Sequence, residues 1–118
     1  MHVRKEVDPR GCIQLQLHGS VTQANIERDA DPLATVLQAE EFGHTLLLDL
    51  SNVLAMDSSG INYLLKLQKR VQLAGGTLIL HSLSPIVRNV VRVLNLQTVF
   101  RVANDPAQAH AWITKEGL

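Results

Sequence analysis

The sequence predicts an α/β fold: a mixed, mainly parallel β-sheet with an N-terminal antiparallel hairpin and covering helices, in the order β-β-α-β-α-β-α-β-α. Its grounds are a turn, an apolar run and a periodicity. Asp8-Pro9-Arg10-Gly11 is a hairpin turn, in which Pro fixes its own φ and Gly admits a positive one. Residues 45–50 form a continuous apolar stretch, the mark of a strand covered on both faces. From there on, strand-like runs alternate with segments of helical period.

The first strand is expected near residues 2–7 and the second over 12–18, where Ile13, Leu15 and Leu17 alternate with polar partners until Gly19 ends it. Residues 20–31 carry no decisive pattern, though a short helix after Thr22 fits. Asp31-Pro32 starts a helix by the cap-then-proline rule, Leu33, Val36 and Leu37 line its inner face, and Gly43 stops it. Strand three covers 45–50, and a short turn follows. The next helix, 59–74, places Ile61, Leu64, Leu65 and Val71 on one broad face and ends at Gly75-Gly76. Thr77–His81 is the fourth strand. Ser84-Pro85 opens a helix whose Val87, Val90, Val91 and Leu94 share a face, with Asn95 as a left-handed cap. A last strand at 99–102 precedes a helix from about Pro106 to Thr114, seated by Ala109 and Trp112.

A length of 118 residues fits one domain, 1–118, with enough apolar residues (46%) for a packed core. The single cysteine, Cys12, excludes an internal disulfide and a multi-cysteine zinc site and reads as a buried structural thiol. No apolar run reaches the ~20 residues of a membrane span, and the charged N-terminus has no secretion-signal core, so a cytoplasmic location is expected. Zero net charge argues against a nucleic-acid binder. That zero hides a split. Residues 31–60 carry Asp31, Glu40, Glu41, Asp49 and Asp57 without a Lys or Arg, whereas 61–100 carry Lys66, Lys69, Arg70, Arg88 and Arg92 without an acid. Such blocks either solvate separate helices or polarise a surface toward a charged partner.

Asp57-Ser58-Ser59-Gly60 stands where a strand and turn give way to an amphipathic helix. Unpaired N–H groups and the helix dipole favour negative charge there, which suits both an ordinary cap and a phosphoryl group. Nucleophilic catalysis is poorly supported. The window Met56-Asp57-Ser58-Ser59-Gly60 lacks the first glycine of a nucleophile elbow. No phosphate-binding glycine loop is present, and His2, His18, His44, His81 and His110 show no metal-ligand spacing. The chain reads as a non-enzyme without metal or cofactor.

The run Leu48 to Ile61, with Gly75-Gly76-Thr77-Leu78, Ser84-Pro85 and Val93-Leu94-Asn95-Leu96, resembles the STAS domain family over nearly the full chain, and within it the bacterial anti-sigma factor antagonists. The resemblance implies that Ser58 is the phosphoacceptor of an anti-sigma factor that is also a serine kinase. The unphosphorylated antagonist would bind that kinase and free a sigma factor for transcription; a metal-dependent Ser/Thr phosphatase would reset the phosphorylated form. The expected partner-binding residues are Ser20, Val21, Thr22, Gln23 and Asn25 on one loop, and Met56, Asp57, Ser59, Gly60, Ile61 and Asn62 on the other. A monomer or weak homodimer is expected, with ATP belonging to the kinase.

Two positions depart from the family pattern. Thr22 replaces a loop acid, and Asn95 replaces the glycine of a Thr-Gly-Leu triplet, now Leu94-Asn95-Leu96. The first leaves room for different partners. A scaffold subunit of a stressosome-like sensory assembly, an accessory subunit of a membrane transporter and a weak nucleotide-binding module are the rival readings.

Overall fold

Strands follow one another across the sheet in the order in which the sequence supplies them, β1-β2-β3-β4-β5. The computed structural model describes residues 1–28 and 31–116. Residues 29–30, inside the segment the sequence left open, and 117–118, at the end of the expected domain, lie outside the described residues. β1 (His2–Val7) pairs antiparallel with β2 (Ile13–Val21). β2, β3 (Thr45–Met56), β4 (Thr77–His81) and β5 (Arg101–Ala103) are mutually parallel. The hairpin turn is held by Asp8, whose carboxylate accepts the N–H groups of Arg10 and Cys12 at 2.9 and 3.0 Å.

Alternation along β3 divides the core between the two faces of the sheet. Leu46, Leu48 and Leu50 pack with α2 (Pro32–Val36), α3 (Ser58–Leu73) and α4 (Pro85–Val93). The side chain of Ile26 joins this cluster from α1 (Gln23–Arg28), the short helix that the sequence allowed after Thr22. Leu47 faces the other way, where Ile79, Ala103 and Cys12 meet Ala109 and Ile113 of α5 (Pro106–Glu116). Each fully buried leucine contributes about 1.5–3 kcal/mol of transfer free energy, so β3 anchors both layers. No helix among the described residues is long and apolar enough to cross a membrane.

Several boundaries move. Gly19 does not end β2: the strand continues to Val21, and Gly19, at φ +93°, lies between two shifts of the β2–β3 register. β3 likewise runs six residues past Leu50, because Ser51 and Asn52 serve as exposed strand residues beside the prolonged β2. The helix expected from Asp31 to Gly43 breaks in two. Leu37 turns extended at φ −101°, ψ 132°, and a 3-10 turn, Ala39–Gly43, starts afresh from Gln38. There Glu41 accepts the Gln38 N–H at 2.8 Å and pairs with Lys5 of β1 at 2.6 Å, which fixes the second start. α3 begins at Ser58, and its deepest residues are Leu64, Leu67, Gln68 and Val71, with Ile61 and Leu65 only half-buried. Gln68 tolerates burial because its amide donates to the Val99 carbonyl at 2.6 Å. Asn95 is left-handed as expected, at φ 54°. A 3-10 turn, Leu96–Thr98, then delays β5 by two residues. In α5, Ala109 is buried as expected and Trp112 half-buried, but Ile113 is the second deep anchor.

Candidate functional site

The extensions of β2 and β3 build the site. Ser20 pairs with Ala55 and Val21 with Met56, so the β2–α1 and β3–α3 connections leave the sheet side by side. All twelve residues singled out from the sequence therefore converge on one edge, at the carboxyl ends of these two strands.

Asp57 joins the two connections. It is the N-cap of α3, in extended conformation at φ −108°, ψ −175°. One carboxylate oxygen accepts the Gly60 N–H at 2.9 Å and the other accepts the Gln23 N–H at the start of α1 at 3.1 Å. These bonds, that from Gln23 first, hold the Asp57 carboxyl below its usual pKa, so it is charged at neutral pH. Across the joint, Thr22 donates its hydroxyl to Asn25 at 2.6 Å, and its carbonyl accepts the Ile26 N–H at 2.9 Å. The position where a family acid was expected thus opens α1.

With the cap role taken by Asp57, Ser58 occupies the first position of α3 with an exposed side chain. Ser59 is half-exposed and Asn62 exposed, while Met56 and Ile61 are half-buried. Val21 and Gly60, both expected on the partner-facing rim, are buried. They form the joint beneath it, since Gly60 lies against the Val21 carbonyl too closely to admit a side chain. Among the described residues no group of three or more His, Cys, Asp or Glu is arranged to hold a metal ion.

Two neighbours were not foreseen. Leu54, near the end of β3, is 70% exposed, an apolar side chain presented beside the rim. Strand alternation from buried Val53 would have revealed it, had Ser51-Asn52 not read as a turn. Tyr63 lies one turn beyond Ser59 and lines, with Gln23, Ile26 and Asn62, a shallow groove between α1 and α3. Its hydroxyl accepts the Leu33 N–H at 3.0 Å and donates to the Asp31 carboxylate, clamping the start of α2 to α3. Burial, and next the neighbouring Asp31, push the Tyr63 phenol well above its usual pKa.

Comparison with known proteins bears on the family and the fold. The family model described as "STAS domain" matches residues 4–109. Over 101 residues the chain is 32% identical to "Putative anti-sigma factor antagonist BtrV" of Bordetella bronchiseptica, covering 86% of this chain and 85% of that protein. Among solved structures it resembles a "putative anti-sigma factor antagonist" from Thermotoga maritima, with TM-score 0.80 and 16% identity over 94% of this chain and 93% of that one. It also resembles the anti-sigma factor antagonist SpoIIAA in its unphosphorylated form, with TM-score 0.65 and 21% identity over 98% and 99% of the two chains. The phosphorylated form of SpoIIAA, from Bacillus, gives TM-score 0.63 and 22% identity over 94% and 98%. The structural likenesses establish the mixed five-stranded architecture; the family match and the identity to the Bordetella protein carry the assignment. The chain belongs to the STAS domain family.

Proposed function

We propose that the protein is an anti-sigma factor antagonist, a non-catalytic cytoplasmic switch that binds an anti-sigma factor kinase while Ser58 is unmodified. One observation carries the proposal. The Asp57 carboxylate makes both capping contacts, so the exposed Ser58 hydroxyl is left to a partner. The relatives named above support the class of function, and a relative with separate phosphorylated and unphosphorylated forms supports the type of control.

The physics of the switch follows from the site. A phosphate on Ser58 adds about −1.5 to −2 charges next to a carboxylate that is already ionised. In a closed interface that charge is desolvated and faces Asp57, and a few kcal/mol changes affinity by orders of magnitude. In the free protein the helix N-terminus and water accommodate it. Modification thus ejects the partner without unfolding the domain, and a Ser/Thr phosphatase restores binding.

The test is incubation with the cognate anti-sigma kinase, ATP and magnesium, followed by mass spectrometry of the wild type and Ser58→Ala. Phosphate on the wild type alone is expected. Equal incorporation in both removes Ser58 from the mechanism.

A further inference from the structure

We propose that the groove between α4 and β5 is a second docking surface, for an acidic segment of a partner protein, separate from the Ser58 edge. Leu83, Val91 and Val102 give the groove an apolar lining, and Arg88, Arg92 and Asn104 give it a polar one. Arg88 and Arg92 are exposed and four residues apart on α4, so their guanidinium groups rise from the same side, one turn apart.

Charge selects the occupant. Among the described residues neither arginine forms an ion pair; Arg92 donates only to the Asn89 side-chain oxygen on its own helix, at 2.9 Å. Asp105, which follows the groove residue Asn104, starts α5 by accepting the Gln108 N–H at 2.8 Å and forms no ion pair with either arginine. Among the described residues none of the acids of the 31–60 stretch forms an ion pair with either arginine. Asp31 holds Tyr63 and the Ala34 N–H, and Glu41 holds Lys5 and the Gln38 N–H. Asp49 accepts both the N–H and the hydroxyl of Ser51, and Asp57 caps two helices. Among the described residues the two guanidinium groups thus stand without an ion-pair partner beside an apolar furrow. Paired carboxylates flanking an apolar side chain match that surface, because arginine binds carboxylate in a planar, bidentate fork.

The experiment selects a displayed random-peptide library on the full chain and titrates recovered peptides against the wild type, Arg88→Glu/Arg92→Glu and Ser58→Asp. Peptides rich in Asp and Glu around an apolar residue are expected. Their affinity should fall by roughly tenfold or more in the double variant, stay unchanged in Ser58→Asp, and weaken with salt. An unchanged thermal midpoint checks the double variant's fold, and Arg88→Gln/Arg92→Gln replaces it if charge reversal lowers that midpoint. Neutral or basic peptides, or equal binding to the arginine variants, overturn the proposal. So does self-association that the arginine variants abolish, which would make a second copy the occupant. Tighter arginine-dependent binding to phosphatidylglycerol vesicles than to any recovered peptide overturns it too.

Discussion

A Cβ at Gly60 would stand 2.1 Å from the carbonyl oxygen of Val21. The last residue of β2 and the first turn of α3 are thus in backbone contact, and the distance between them is set by the absence of a side chain. Gly60→Ala must push α3 away from β2 and disturb both bonds to Asp57. A loss of about 1–3 kcal/mol is expected, measured by chemical denaturation, with weakened partner binding alongside. A variant as stable as the wild type would mean that the joint yields without cost.

Ser58 should contribute little to stability, since its hydroxyl has no capping role. Ser58→Ala is expected to stay within about 0.5 kcal/mol of wild type. Ser58→Asp should keep the same thermal midpoint while weakening the anti-sigma partner at least about tenfold in titration calorimetry. A large fall in midpoint for either variant would return Ser58 to the role of a helix cap.

Asp57 links stability to acid. Its folded pKa lies below the ordinary carboxylate value, chiefly through the Gln23 N–H and then the Gly60 N–H. Its stabilisation is therefore fully present above the unfolded pKa of ~4 and is lost as pH falls through the lower folded value. Calorimetry of wild type and Asp57→Asn should show midpoints separated at pH 7 and converging as pH falls below the ordinary carboxylate pKa of ~4. A separation that persists at the acid end would assign the effect to hydrogen-bond geometry alone.

Tyr63 supplies the alkaline counterpart. It is the only tyrosine, so phenolate absorbance reads it without interference. With its folded pKa raised, its contribution is complete below the unfolded value of ~10 and disappears as pH rises through the folded one. The native chain should show no phenolate signal at pH ~10 and gain one abruptly on unfolding. Tyr63→Phe should cost about 1–3 kcal/mol by leaving the Leu33 N–H unpaired. A smooth titration near the ordinary value would dismiss the clamp.

The fold class, the hairpin and the order of regular elements were legible because each rests on local chemistry. Asp8-Pro9-Arg10-Gly11, Asp31-Pro32 and Ser84-Pro85 mark their turns and helix starts with side-chain caps and fixed φ angles. What was not legible depended on partners distant in sequence. Ser51 and Asn52 look like turn residues until β2 is laid beside them, and Gly19 looks like a stop until the register shift uses it. The break at Leu37 required Lys5, thirty-six residues from Glu41, to hold the restarted turn. At the site, Asp57 and Ser58 were visible as a pair, but their division of labour was not. The Gly60 N–H makes Asp57 the cap, and the Gln23 N–H, arriving from another connection, takes its second oxygen and leaves Ser58 available.

Because every strand neighbours its immediate predecessor, the order of assembly can match the order of synthesis. Each strand leaving the ribosome finds the edge it needs already in place, and nothing must be threaded or exchanged later. Only the last segment breaks this pattern, since α5 closes the far side over Leu47, Ile79 and Ala103 once the sheet is complete. A nascent chain stalled before Pro106 would therefore display an uncovered apolar flank, ready to stick to whatever apolar surface it meets first.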